Sequence, residues 1–218
     1  GRTHGNAEIN HIATKPSLRV LSWNVNGLGD KVKRGMTMHF LKRQAPDIVL
    51  LQETHMLGNN CKALDRRGYK MVCHSGFTSG SRGVGILVRK ALPFVVQQTW
   101  VEPNGKCAAL TGRWQRLTLN VISVYVPLQL HKVTLPELSA LILQLPVGTF
   151  LIGGDFNLTV QADLDRWPAR AGIPARSPLA DFLQAMGLAD IWRARNQNAR
   201  QYTFHSGAHG NLSRIDYL

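Results

Sequence analysis

Acidic residues are scarce. The 218-residue chain has 13 Asp and Glu against 26 Lys and Arg, a net charge of +13 with a pI near 10.3. Such a surplus points to a polyanionic partner, because each bound phosphate releases a condensed counterion. Solubility alone would be better served by acidic side chains. Cysteine is nearly absent: Cys61, Cys73 and Cys107 are odd in number and widely spaced. They fit neither a disulfide framework nor a zinc site, which favours a reducing interior. No apolar run approaches the roughly 20 residues that span a membrane. The opening "GRTHGNAEINHIATKPS" has no apolar centre, so it does not read as a signal peptide. Residues 1–17 are expected to form a flexible leader, and 18–218 the folded domain. Tandem repeats, low-complexity tracts and linkers are also missing. At 44% hydrophobic and 18% charged residues, the chain can bury a core and is not of the disordered class.

What is present alternates strands with a few helices. "LRVLSWNVNGL" alternates on Leu18, Val20 and Ser22 and ends in an Asn-rich turn. Residues 33–44 carry Met36, Phe40 and Leu41 at helical spacing before Pro46. "DIVLLQETH" and "TFLIGGDFNLTV" read as strands buried on both faces. "YKMVCHS", "GVGILVRK", "FVVQQTW" and "RLTLNVISVYVP" read as further strands between Gly, Pro and Asn breaks. "LPELSALILQL" predicts a helix with Pro136 and Glu137 in its first turn. "SPLADFLQAMGL" predicts one capped by Ser177, with Pro178 first and Gly187 past its end. The tail "QYTFHSGAHGNLSRIDYL" predicts two strands joined by a Gly/His loop. Strand runs with helices interleaved imply an α/β fold of stacked sheets with helices outside.

Amides and carboxylates stand just past the apolar strands: Asn24 and Asn26, then Glu53, then Asp155 and Asn157, then Asp216. Each alone is an ordinary turn residue. Strand ends of an α/β sandwich, however, can converge on a shared cleft. Glu53, directly after a buried run, is the hardest to explain as a solvated charge. Hard oxygen donors without a Cys/His set favour Mg²⁺, with Mn²⁺ as the alternative ion. Such an ion beside a basic surface implies phosphodiester cleavage.

"LSWNVNGL", "DIVLLQETH", "GVGILV", "VYVP", "IGGDFN" followed by "LDR", "YTFHSG" and "SRIDYL", in that order over residues 18–218, resemble the endonuclease/exonuclease/phosphatase superfamily. More narrowly they resemble the apurinic-endonuclease-like domain of non-LTR (LINE-type) retrotransposons. The resemblance implies a DNase-like, exonuclease III-like four-layer α/β sandwich flanked by helices. It implies that Glu53 is the principal metal ligand, with Asn24 near the metal and the scissile phosphate. Tyr125 would bond that phosphate, Asp155 would position or deprotonate the attacking water, and Asn157 would orient phosphate and metal. Thr203 would bind DNA nearby, and Asp216 would orient a histidine. Asp165 and Arg166 read as a structural ion pair near the site. The loop 205–211 matches a groove-entering hairpin, and His205, His209, Asn211 and Arg214 are assigned to DNA. His55 receives no role. Trp100, Trp114, Trp167 and Trp192 read as core or groove wall.

The resemblance also implies double-stranded DNA as partner, a reverse transcriptase domain downstream, and action in the nucleus of the cell. The expected product is a nick with a 3′-hydroxyl that primes reverse transcription. Asn26 stands where many abasic-site repair relatives carry Asp. The family closes with a further strand ending in Ser-Asp-His, which is not among these residues, so this chain is expected to bind metal and DNA but cleave poorly. Two alternatives are an abasic-site repair enzyme, or another phosphoesterase of the superfamily, and a DNA-binding module without cleavage.

Overall fold

The computed structural model describes residues 17–168, 177–206 and 210–218; the leader expected at 1–17 lies, except for Ser17, outside them. One sheet orders its strands β1 (Val20–Asn24), β2 (Ile48–Gln52), β4 (Val84–Arg89) and β3 (Tyr69–Ser75) as β1-β2-β4-β3. The second contains β5 (Phe94–Val101), β6 (Cys107–Trp114), β7 (Leu117–Tyr125), β8 (Thr149–Asp155) and β12 (Asp216–Tyr217), in the order β12-β8-β7-β6-β5. A small third sheet pairs β10 (Phe204–Ser206), β11 (Asn211–Ser213) and β9 (Arg166–Trp167).

Side-chain alternation assembles the layers. In β2, Ile48 and Leu50 face the second sheet and meet Val84, Ile86, Leu110 and Val121. The intervening Val49 and Leu51 face outward and pack under Met38 and Leu41. Those two belong to helix α1 (Lys31–Gln44), which starts where Asp30 accepts the Lys33 N–H. Ile122 and Val124 of β7 face the other way, onto helices α2 (His131–Gln144) and α4 (Pro178–Ala185). Strand β2 is therefore buried on two faces, as its continuous apolar run predicts, whereas β8, expected to be likewise, is fully buried only over Gly153–Asp155. The result is helix, sheet, sheet, helix, the sandwich expected from the sequence.

Four local expectations need correction. The buried face of α1 is Thr37, Met38 and Leu41. Met36 faces solvent, and Phe40, 40% exposed, meets the Trp23 ring edge-on at 5.0 Å. Strand β6, "CAALTGRW", is absent from the sequence expectations because Ala and Gly are weak strand formers. Those small residues suit it, since Phe94 lies against Gly112, where any Cβ would collide with the ring. Helix α2 begins at His131, so Pro136 falls in its second turn rather than its first. The tail forms three strands, because the chain leaves the small sheet after Ser213 and joins β8 at Asp216. Helix α4 is capped as predicted: Ser177 accepts the Ala180 N–H, and Gly187 has φ 64.

Candidate active site

Both sheets deliver their polar strand ends to one place. In the second sheet, β7 and β8 run parallel with Tyr125 opposite Asp155, while β12 runs antiparallel with Asp216 opposite the same Asp155. Three functional side chains thus stand on neighbouring strands in register. In the first sheet Asn24 ends β1, and Glu53 follows β2 with a left-handed φ of 51. The sheets are braced just behind this point. Gln52 Nε2 donates to Ser123 Oγ at 3.1 Å, and Ser123 Oγ donates to the Leu51 carbonyl at 3.0 Å.

Asn24 joins the two halves. Its Nδ2 donates to Glu53 Oε1 at 3.0 Å and to Asp155 Oδ2 at 2.9 Å. Its Oδ1 accepts the Asn26 N–H at 3.0 Å. Asn24 was expected near the metal and the scissile phosphate; here its amide bridges the two carboxylates and ties the sheets together. The second Asp155 oxygen accepts the Asn157 N–H at 2.9 Å, and the Asn157 side chain donates to the Val126 carbonyl. Tyr125 lies close enough to Glu53 for the carboxylate to act on its phenol. His55 Nε2 lies 3.5 Å from Glu53 Oε2.

Burial, aided by the negative field of Asp216, pushes the Asp155 carboxyl up to about 6; the Asn157 and Asn24 N–H groups pull against that rise. Burial raises Asp216 as well, opposed by the Thr203 hydroxyl. Burial and the Glu53 charge push the Tyr125 phenol up to about 12, so it remains a donor at neutral pH. Among the described residues, no three His, Cys, Asp or Glu side chains form a group that could hold a metal by themselves. The donors do fit a Mg²⁺-type ion held by one or two carboxylates and completed by substrate phosphate.

The other assigned residues divide. Thr203 Oγ1 accepts the Ile215 and Asp216 N–H groups at 3.1 and 3.2 Å, so it fastens Asp216. His205 is exposed on β10, and Asn211 is half-buried opposite Ser206. His209 lies outside the described residues. Arg214 is not positioned for DNA. It is buried, its Nε and Nη2 reach Asp165 Oδ1 and Asp190 Oδ2 at 2.9 and 2.5 Å, and its guanidinium lies over the Trp192 and Tyr217 rings.

The Asp165–Arg166 ion pair does not form. Fully buried Asp165 pairs with Arg193 and Arg214 instead, because those two guanidinium groups enter the core while the chain turns Arg166 into β9. Burial pushes the Asp165 carboxyl upward, and the arginines outweigh it and hold the group below the usual range. Asp190 and Arg193 went unnoticed in the sequence. Asp190 accepts the Arg193 N–H as the cap of helix α5 (Ile191–Arg195), a spacing that could have marked it. Trp167 is exposed and so is not core, whereas Trp114 is core.

A model of the Endonuclease/Exonuclease/phosphatase family matches residues 21–218. A DNA-(apurinic or apyrimidinic site) endonuclease of Dictyostelium discoideum is 30% identical over 233 residues, covering 92% of this chain. The chain spans 62% of the length of that curated relative. Among solved structures, the AP endonuclease LMAP of Leishmania major aligns with a TM-score of 0.72 at 18% identity, covering 92% of this chain and 78% of that one. The 3'-5' exonuclease of Neisseria meningitidis aligns at 0.70 and 21% identity, covering 92% and 85%. These likenesses give the sandwich the exonuclease III/DNase-like fold.

Proposed function

Because the chain belongs to the endonuclease/exonuclease/phosphatase family, we propose that it is a metal-dependent DNA endonuclease that nicks target DNA to leave a 3′-hydroxyl for primed reverse transcription. The observation that carries the nuclease reading is the Asn24 amide clamped between Glu53 and Asp155, at a point where Tyr125 and Asp216 also converge. The +13 charge suits a polyphosphate substrate. In the reaction, water attacks phosphorus, a new P–O bond forms, and the bond to O3′ breaks. Asp155, held near pKa 6, receives the proton from water. Tyr125 donates to a phosphate oxygen. Glu53, with Asn24 beside it, would hold Mg²⁺, which when bound polarises the phosphoryl group and stabilises the leaving oxyanion. Thr203 holds Asp216 in orientation.

The setting we propose is a retroelement polyprotein carrying a reverse transcriptase domain and acting in the nucleus. A second reading, abasic-site repair, draws on the Dictyostelium relative and fits about equally well. Conversion of supercoiled plasmid to open circles by the whole parent protein and by its Glu53→Gln variant tests the nuclease reading; undiminished nicking by the variant refutes the site. Comparing intact duplex with one bearing a single abasic site separates the settings. Strong preference for the abasic duplex refutes the retroelement reading.

A further inference from the structure

The segment joining β3 to β4 closes on the loop that carries Glu53. Thr54 N–H donates to the Gly83 carbonyl and His55 N–H to the Arg82 carbonyl, each at 3.0 Å. Gly83 N–H in turn donates to the Gly105 carbonyl at 3.1 Å. These bonds hold Arg82 at φ 59, a left-handed conformation that a long side chain rarely adopts. The Arg82 backbone is thereby fixed two residues from Glu53, against His55. A Cβ at Gly105 would stand 3.1 Å from Phe77 Cβ and 3.2 Å from Arg82 Cβ, so only glycine lets these two residues pack there.

The Arg82 guanidinium lies 4.3 Å from the centroid of the Phe77 ring, and Nη1 donates to the Asn104 carbonyl at 3.4 Å. Phe77 is 41% exposed, a large ring left out of the core with a cation over its face. Among the described residues, no carboxylate forms an ion pair with Arg82. Its positive field reaches the Tyr125 phenol and opposes the rise that burial causes there.

We propose that Arg82, braced on the Phe77 ring, grips a DNA phosphate beside the scissile one and positions the strand over Glu53. The proposal rests on the reading of the site as a DNA endonuclease. With one face on the Phe77 ring and Nη1 on the Asn104 carbonyl, the Nε–Nη2 edge of the guanidinium remains to match two phosphate oxygens at once. The contact is sequence-independent and sets register rather than specificity. A purely structural latch would act through the Arg82 carbonyl, which every substitution retains.

The test is anisotropy of a fluorescent DNA duplex over a salt series without divalent metal, paired with nicking kinetics in Mg²⁺. Arg82→Gln should weaken binding roughly tenfold, as expected for one charge-assisted contact. It should lower the slope of log K against log salt by about one. It should raise KM more than it lowers kcat, with the melting temperature unchanged. Arg82→Lys should restore the slope but only part of the affinity, and Phe77→Leu should fall between. Glu53→Gln, measured alongside, should lose nicking and keep binding. If Glu53→Gln nicks normally, the endonuclease reading fails. If Glu53→Gln is inactive while Arg82→Gln binds with the unaltered slope, or loses stability in step with affinity, the Arg82 assignment is overturned.

Discussion

Asn24→Asp changes one atom type at the junction of the two sheets and leaves shape and volume alone. The native amide donates to Glu53 and Asp155 at 3.0 and 2.9 Å, while its oxygen keeps the Asn26 N–H. The variant loses both donors, each bond being worth about 1.5–3 kcal/mol to a charged acceptor. It also brings a third carboxylate to about 3 Å from the other two. At an effective dielectric of about 20, ionised pairs at that separation repel by about 5 kcal/mol. Taking up one proton at pH 7 costs a carboxylate only about 4 kcal/mol, so the cluster protonates instead. Glu53 is partly open to water, which lowers the penalty further, to about 2–3 kcal/mol. For a chain of this size that is a melting-temperature loss of about 5–10 °C. The folded variant binds protons more tightly than the unfolded chain. The repulsive part of its penalty is therefore absent below about pH 4 and grows as pH rises through the raised folded values. Thermal unfolding with chelator at pH 4.5 and pH 8 reads this directly. Equal stability of variant and wild type at pH 8 would refute the electrostatic account of Asn24.

Arg214→Met should cost about 3–5 kcal/mol in urea denaturation, because Asp165 and Asp190 lose a shared partner in a buried network; a neutral result would mean that water replaces it. Burial lowers His74 to about 4, and its Nε2 lies 2.9 Å from Thr54 Oγ1. The unfolded chain therefore takes up the proton more readily, and stability that is complete above about pH 6.5 falls by about 3 kcal/mol as pH drops to 4. His74→Gln should remove that part of the pH dependence in parallel melts. Gly154→Ala should abolish folding or cost more than about 4 kcal/mol by circular dichroism, since its methyl group would overlap the Val124 carbonyl of the neighbouring strand.

Much of this was legible in the sequence, for physical reasons. A short apolar run rich in β-branched residues and bounded by turn residues reads as a strand covered on both faces, and β2 is one, with Val49 and Leu51 on one face and Ile48 and Leu50 on the other. Turn chemistry marked Asn24, Glu53, Asp155 and Asp216 as strand-end groups. That they share one cleft was expected, but the register that brings them together was not legible: Tyr125 and Asp216 meet Asp155 only through pairings between segments distant in the chain. Arg214 was misjudged for the same reason. A basic residue beside a polar turn looks solvated until the fold brings Asp165, Asp190 and two aromatic rings around it. Strand β6 was invisible because its small residues answer to the neighbouring strand rather than to intrinsic propensity.

The backbone shows where the fold concentrates its local constraints. Asn26, Glu53, His55 and Asn157 all have φ between 46 and 52. Asparagine tolerates that region through its short amide, but glutamate and histidine are held there at about 1 kcal/mol or more each. The offset comes from bonds between loops: Gly27 N–H to the Glu53 carbonyl at 2.6 Å, Leu28 N–H to the Thr54 carbonyl at 2.8 Å, and Thr54 N–H to the Gly83 carbonyl. Gly27, at φ 88, also leaves room for the His55 ring, which a Cβ would meet at 2.9 Å. The conformation of Glu53 is thus imposed by three separate segments and not by its own preference. A carboxylate fixed in this way faces Asn24 and Asp155 before any substrate arrives, which is the preorganisation that phosphoryl transfer requires.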